Sequence, residues 1–281
     1  MKTSTPQFDI DSPYQLAQPQ IEFYRDQGYI KLKDVLTPEV LSHYGEEISR
    51  QVRELNTQHL PLDQRDTYSR AFLQITNIWT KSPVVKEFVL GKRLARIAAE
   101  LMDVTGVRIY HDQALYKEPG GGITPRHADQ YYWPVSSDRT VTAWIPLQAV
   151  PQEMGPLAFS PGTHRMNSGR DLQIGDDSEM KLSELLKDNP IEETAFELGE
   201  VSFHCGWIFH RAGANTSTNP REVITIIYLD EDMRLIEPRN KNQRNDWNWW
   251  CPGVQVGAII NSPLNPVVWS SRETRHREVA P

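Results

Sequence analysis

Apolar positions along this chain change their period near residue 105. Upstream they recur every three or four residues, so Gln18–Gln27, Pro38–Leu55 and Arg93–Met102 read as amphipathic helices. Leu94, Ile97, Ala98 and Leu101 form one stripe of the last. Thr37 before Pro38 and Ser82 before Pro83 are helix starts, an N-cap followed by proline at the first helical position. The helix opened by Ser82 ends near Gly91, and a short strand, Tyr29–Lys33, lies between the first two helices. Downstream the texture becomes short β-branched and aromatic runs punctuated by Gly, Pro and Asn. They are Val107–Lys117, Thr140–Leu147, Leu157–Ser160, Thr194–Leu198, Val201–Phe209 and Val223–Leu229. The acidic stretch Asp171–Asn189, with a short helical pattern, reads as an insertion between strands. Helices first and many short strands afterwards predict a mostly β fold, a barrel or sandwich with helices packed outside.

The 281 residues, 38% of them hydrophobic, suffice for one large domain with a full core. The expected organisation is a flexible lead-in over 1–15, a mainly helical flank over 16–105, a β core over 106–230 and a covering segment over 231–281. That last segment carries Trp247, Trp249, Trp250 and Trp269, too aromatic for a disordered tail. A net charge of −7 with dispersed Lys and Arg argues against nucleic acid and against an anionic membrane surface as partners. Two cysteines, Cys205 and Cys251, give neither a disulfide framework nor zinc spacing. No stretch has the apolar core of a signal peptide or the roughly 18 apolar residues of a membrane span. The expectation is a soluble cytoplasmic protein; oligomeric state is not legible.

Candidate chemistry begins at His127-Ala128-Asp129. With eight His in the chain, His-x-Asp alone arises by chance in roughly half of chains like this one. Its setting gives it weight: the run EPGGGITP breaks the strand before it, so a new strand begins near His127. Residues i and i+2 of a strand share a face, which lets His127 and Asp129 converge on one ion. Far downstream, His210 closes the run Val201–Phe209 and Arg221 opens the next. AGANTSTNP between them is a loop by its Gly, Asn and Pro. The two strands are therefore expected to pair as a hairpin that brings His210 and Arg221 together. Two imidazoles and one carboxylate on one metal leave open positions, the arrangement of non-haem Fe(II) oxygenases. An arginine at the mouth of an apolar strand needs an anion, and its fork suits the carboxylate of an organic co-substrate. His204 and His164 compete for the third position. His204 shares a strand face with His210 but lies roughly 20 Å from it if the strand is regular, and Gly206 could bend the segment. His164 sits in the turn-like SPGTHR, so His210 ranks first. Tyr131, Tyr132 and Trp133, just past the motif, either wall a substrate pocket or pack in the core.

Five blocks resemble the phytanoyl-CoA dioxygenase family of Fe(II)/2-oxoglutarate oxygenases over about residues 20–235. They are FYRDQGYIKLKDVL, HDQALYKEPGGGITPRHADQYYWP, TAWIPLQAVPQEMGPLAFSPGTHR, GEVSFHCGWIFHRAGAN and Arg221. The resemblance implies a double-stranded β-helix, or jelly roll, with helices on one flank. It implies Fe(II) held by His127, Asp129 and His210, with 2-oxoglutarate and O2 as co-substrates. Arg221 would bind the distal carboxylate of 2-oxoglutarate, and Trp144 and Gln113 would line its pocket. The reaction implied is oxidation of a C–H bond of a small molecule, with release of succinate and CO2 and no catalytic side chain beyond the ligands. Ala128 and Ala212 replace residues, often Gln and Ser, with which the family meets the co-substrate. The residues after Asp129 lack the pattern of ectoine hydroxylases. A related halogenase is one alternative, although there a small residue replaces the carboxylate ligand that Asp129 supplies here. A metal-binding jelly roll without catalysis is the other.

Overall fold

The computed structural model describes residues 8–272; the first half of the expected lead-in and the end of the covering segment lie outside the described residues. Five helices and two short strands precede the β region: α1 (Gln18–Gln27), β1 (Tyr29–Leu32), α2 (Pro38–Leu55), α3 (Thr67–Ala71), β2 (Leu73–Thr76), α4 (Pro83–Val89) and α5 (Lys92–Met102). Thr37 and Ser82 cap α2 and α4 by accepting from the amides of Val40 and Val85, with proline at the start of each helix. Within the expected lead-in, Phe8, Ile10 and Asp11 contact the helical flank. Phe8 stacks on His43 at 4.1 Å, Ile10 is buried, and Asp11 accepts from the amide of Lys92 at the start of α5.

The strands that follow are β3 (Gly106–Tyr116), β4 (Thr124–His127), β5 (Thr140–Pro146), β6 (Leu157–Phe159), β7 (Glu192–Glu193), β8 (Val201–Cys205), β9 (His210–Ala212), β10 (Val223–Asp230) and β11 (Val267–Ser270). Helix α6 (Asp176–Leu185) lies in the insertion, and α7 (Lys241–Trp250) precedes β11. A seven-stranded sheet runs β1-β8-β5-β10-β3-β11 with β2 also on β3, and a four-stranded sheet runs β4-β9-β6-β7. All pairings are antiparallel.

Strict alternation divides the larger sheet between two jobs. Val141, Ala143 and Ile145 of β5 and Ile224, Ile226 and Tyr228 of β10 join the main core with the apolar stripes of α2, α4 and α5. Thr142 and Trp144, Thr225 and Ile227 alternate with them and line a cavity that residues of the smaller sheet also line. One face therefore holds the helices, and the other faces the site.

Two expected strands differ. Thr194–Leu198 is not a strand; only Phe196 finds a partner, an isolated bridge to Val150. Val201–Phe209 is not continuous, because β8 stops at Cys205 and the chain turns through Gly206 before β9. The expected hairpin with the next strand is absent as well. β8 pairs with β1 and β5, β10 with β3 and β5, and β9 belongs to the other sheet. The apolar pattern could not report this, since a turn buried between two sheets is as apolar as the strands it joins.

Asp112 locks the helical flank to β3. Its carboxylate is fully buried, accepts from the amides of Ile78 and Trp79 at 2.9 and 3.0 Å, and is pushed up to about 7 by burial. Asp112→Ala orphans both buried N–H groups and should cost about 1–3 kcal/mol. Urea denaturation reads this directly; a loss below about 0.5 kcal/mol, the range of an ordinary surface change, would show that the contact does not tie the layers together.

Candidate metal centre

The smaller sheet brings two imidazoles together by register. His127 ends β4, His210 opens β9, and the two are direct cross-strand partners with ring centroids 4.3 Å apart. Asp129 lies just beyond β4, at the start of a 3-10 turn rather than on the strand itself. Ala128 keeps an extended backbone, φ −121 and ψ 131, so the i, i+2 relation still returns Asp129 to the side of His127. Ligand atoms of His127, Asp129 and His210 lie within 4.8 Å of one another. Nε2 of His127 and of His210 stand 3.4 and 3.6 Å from Oδ1 of Asp129.

Hydrogen bonds behind the rings fix their tautomers. Nδ1 of His127 is 2.7 Å from the carbonyl of Pro125, and Nδ1 of His210 is 3.1 Å from that of Ile208. Each Nδ1 therefore carries the proton and donates it, leaving an Nε2 lone pair aimed at Oδ1. Burial first, and His127 beside it, push His210 down to about 3, so its ring is neutral at neutral pH. Burial works against the charge on Asp129, yet His210, His127 and His204 hold its carboxyl well below the usual range. Neutral imidazoles and an ionised carboxylate are the forms that bind a divalent ion.

The larger sheet supplies a second pair. Thr142 of β5 and His204 of β8 are cross-strand partners. The Thr142 hydroxyl donates to Oδ2 of Asp129 at 2.9 Å, and Nε2 of His204 is 3.3 Å from the same oxygen. The roughly 20 Å separation expected between His204 and His210 is thus wrong; their ring centroids are 4.6 Å apart. The chain folds back at Gly206, whose carbonyl accepts from the amide of Gln130 at 2.9 Å. A Cβ there would meet Thr140 Oγ1 at 2.5 Å and Gln130 Oε1 at 2.6 Å, so only glycine permits the approach. His164 lies elsewhere, packed against Gly28, and does not line the cavity.

Arg221 lies at the floor of the same cavity, about 1030 Å³ in volume. It is 2% exposed, its backbone pairs with Lys117, and it donates to the carbonyl of Gly155. Its guanidinium sits 5.4 Å from the Trp144 ring centroid, and its Nε is buried without a partner. Burial alone lowers it to about 9, so it is charged at neutral pH, and no acid among the described residues offsets it. Trp144 and Gln113 both line the cavity; Gln113 accepts from Gln74 at 2.6 Å. Tyr132 and Trp133 line it too, whereas Tyr131 faces a separate cleft. Sequence reasoning missed Thr142 and buried Lys117. Lys117 Nζ donates to the carbonyls of Gly122 and Gly213 at 2.6 Å, and burial and then Arg221 push it down to about 6. No local pattern marks either residue; only register with the motif residues does.

A family model described as phytanoyl-CoA dioxygenase (PhyH) matches residues 24–223. Phytanoyl-CoA dioxygenase domain-containing protein 1 of Danio rerio is 25% identical over 167 residues, 56% of this chain and 57% of that protein. The match thus spans little more than half of that relative. Ectoine dioxygenase of Bordetella parapertussis is 22% identical over 245 residues, covering 80% of this chain and 79% of the relative. The crystal structure of SnoK, a non-haem α-ketoglutarate-dependent carbocyclase from nogalamycin biosynthesis, superposes with a TM-score of 0.75 at 24% identity. That superposition covers 92% of this chain and all of SnoK, and it establishes the jelly-roll fold.

Removing the sole carboxylate of the cluster leaves two imidazoles, which hold Fe(II) poorly. Asp129→Ala should abolish stoichiometric binding in an anaerobic Fe(II) titration while the protein stays folded by circular dichroism. Binding near the wild-type level would sink the ligand assignment.

Proposed function

Because the chain belongs to the phytanoyl-CoA dioxygenase family, we propose that His127, Asp129 and His210 hold Fe(II) and that Arg221 anchors 2-oxoglutarate beside it. The enzyme is an Fe(II)- and 2-oxoglutarate-dependent dioxygenase that oxidises a C–H bond of a small molecule. For hydroxylation, substrate C–H, O2 and 2-oxoglutarate become C–OH, succinate and CO2. The observation that carries the reading is a buried guanidinium without a counter-ion in the cavity that holds a His-Asp-His cluster. An unpaired buried charge is costly, and a dicarboxylate relieves that cost.

When bound, Fe(II) supplies O2 activation coupled to oxidative decarboxylation of 2-oxoglutarate. The chain does the rest. Two imidazoles wired through Nδ1 and one carboxylate present their ligand atoms to one point. Arg221 offers its fork at the floor, and the Trp144 ring against it keeps water from that charge. The walls of both sheets fix the reach between the cavity mouth and the metal. No side chain is needed as nucleophile or general base.

Charge narrows the substrate. Among the described residues Arg221 is the single Lys or Arg lining the cavity; Asp66 lines it too, and Asp246, raised by burial to about 8, is largely protonated at neutral pH. Tyr68 records their convergence: burial, and then Asp129, Asp246 and Asp66, raise its hydroxyl to about 12. Aromatic rings of Phe72, Tyr132, Trp249 and Trp250 supply apolar surface beside them. A polyphosphorylated CoA thioester would meet Asp66 and, among the described residues, no basic patch in the cavity to hold it. The lining favours a neutral or amine-bearing small molecule with ring surface to stack.

Two experiments test this. Anaerobic addition of 2-oxoglutarate to the Fe(II) protein should raise a visible metal-to-ligand charge-transfer band, and its absence overturns the co-substrate reading. Succinate release should then be screened with acyl-CoA thioesters, neutral ring compounds and ring-bearing amines. Stimulation by the last two groups is expected; strongest stimulation by a thioester rejects the charge argument.

Arg221→Ala truncates one partner of a buried charge pair, which typically costs about 2–5 kcal/mol, or roughly 30- to several-thousand-fold in affinity. The 2-oxoglutarate requirement should rise by that factor while Fe(II) content stays unchanged. Arg221→Lys should recover only part, since an ammonium lacks the planar fork. A change below about threefold in Arg221→Ala, less than about 1 kcal/mol, would remove the arginine from the co-substrate site.

A further inference from the structure

Three histidines surround Asp129, and their hydrogen bonds sort them into two kinds. His127 and His210 each have a backbone carbonyl behind Nδ1, at 2.7 and 3.1 Å. His204 has none; its Nδ1 is buried without any partner. Its Nε2 faces Oδ2 of Asp129 at 3.3 Å, whereas the Nε2 atoms of the other two rings stand nearest Oδ1. We propose that His204 is a positioning residue, a donor to Asp129 and not a metal ligand. Nε2–H of His204 and the Thr142 hydroxyl together hold Oδ2, so that Oδ1 alone turns to the metal. The inference rests on the reading of His127, Asp129 and His210 as the metal site.

The tautomer follows from two independent penalties. A proton on Nδ1 of His204 would be a buried donor with no acceptor. The same tautomer would set the bare Nε2 lone pair against a carboxylate oxygen 3.3 Å away. Both penalties vanish when the proton sits on Nε2, and a protonated Nε2 has no lone pair for a metal. His127 and His210 carry the opposite assignment because a carbonyl behind each Nδ1 accepts its N–H, and a cation held between their Nε2 atoms and Oδ1 would remove the lone-pair clash.

Sheet geometry makes the contact rigid. His204 is fixed between Thr142 on β5 and Tyr29 on β1, its partners in the larger sheet. It is 2% exposed, and the Phe159 ring lies 5.4 Å from it. Thr142 and His204 therefore reach Oδ2 as one cross-strand pair, while His127 and His210 face Oδ1 as another. With Oδ2 occupied by two donors, the carboxylate would offer a bound ion one oxygen. A position that a second carboxylate oxygen would otherwise fill would then be left for the co-substrate.

The test compares wild type, His204→Phe and His204→Gln by anaerobic Co(II) titration followed by visible absorption, with X-ray absorption on the Fe(II)-loaded wild type. His204→Phe keeps a planar ring and removes the donor, so affinity should fall about 10- to 100-fold, the usual effect of losing a partner that orients a ligand. His204→Gln keeps an N–H at similar reach and should stay within about tenfold of wild type. The wild-type iron spectrum should fit two imidazoles. Wild-type affinity in His204→Phe, with only its thermal midpoint moved, would reduce His204 to packing and overturn the proposal. No recovery in His204→Gln overturns donation, and three imidazoles around iron make His204 a ligand. The imidazole count needs no variant, so it decides even if His204→Phe does not fold. Failure of the wild type to bind Co(II) at all would instead reject the parent reading of the metal site.

Discussion

One carboxylate, placed between two sheets, is the constraint to which the rest of the site answers. Asp129 cannot be left ionised in a buried position without partners on both oxygens, because an unpaired buried charge costs several kcal/mol. The larger sheet answers at Oδ2 with donors from Thr142 and His204, and the smaller turns the Nε2 atoms of His127 and His210 toward Oδ1, where a bound cation would satisfy all three. Both pairs are cross-strand neighbours, so the ladders that hold the sheets together also set the distances around the carboxylate. Backbone register is stiffer than any side-chain contact. A site built on it loses little entropy when a metal arrives.

Arg221 shows the opposite economy. It is more deeply buried than Asp129, yet only a carbonyl and an indole ring meet it. Lys117 next to it sheds its charge instead, satisfied by two carbonyls at 2.6 Å. Two buried cations side by side would repel, and the more easily deprotonated amine yields. What remains is one permanent positive charge at the floor of a cavity. The free protein tolerates it at a cost in stability that binding of a dicarboxylate removes.

How much of this is legible in the sequence follows from which interactions are local. Helix caps and helix stripes are, since both depend on residues within four positions of one another; α1 and α2 have the expected bounds. His127 and Asp129 are legible because their i, i+2 relation survives a change from strand to 3-10 turn through the extended Ala128. His210 and Arg221 share the cavity, but not through the hairpin that their spacing suggests. The continuous apolar run Val201–Phe209 hides a turn at Gly206 that moves the chain from one sheet to the other. Distance along a presumed strand therefore misplaces His204 by most of the width of the site. Hydrogen-bond wiring discriminates among the histidines where separation does not, and no sequence pattern encodes it.

The division of labour between sheets and connections carries the last step. Every side chain that faces Asp129 or Arg221 comes from a strand or from the residue next to one, and their geometry is set by pairing. The outer cavity is different: Asp66, Tyr68 and Phe72 come from α3 and its flanks, and Asp246, Trp249 and Trp250 from α7. These elements share no β-ladder with the metal-bearing rows and meet them through single hydrogen bonds, such as Gln243 of α7 donating to the Tyr131 carbonyl at 3.1 Å. Side-chain packing rather than a ladder ties α7 to the larger sheet: Trp250 stacks on His111 at 4.7 Å, and Trp247 and Trp250 pack with the cluster of Tyr110, Ile227 and Leu229. Such a scaffold can change the shape and charge of its mouth while its iron and 2-oxoglutarate chemistry stays fixed. Chemistry in this chain is a property of register, and specificity a property of the helices laid over it.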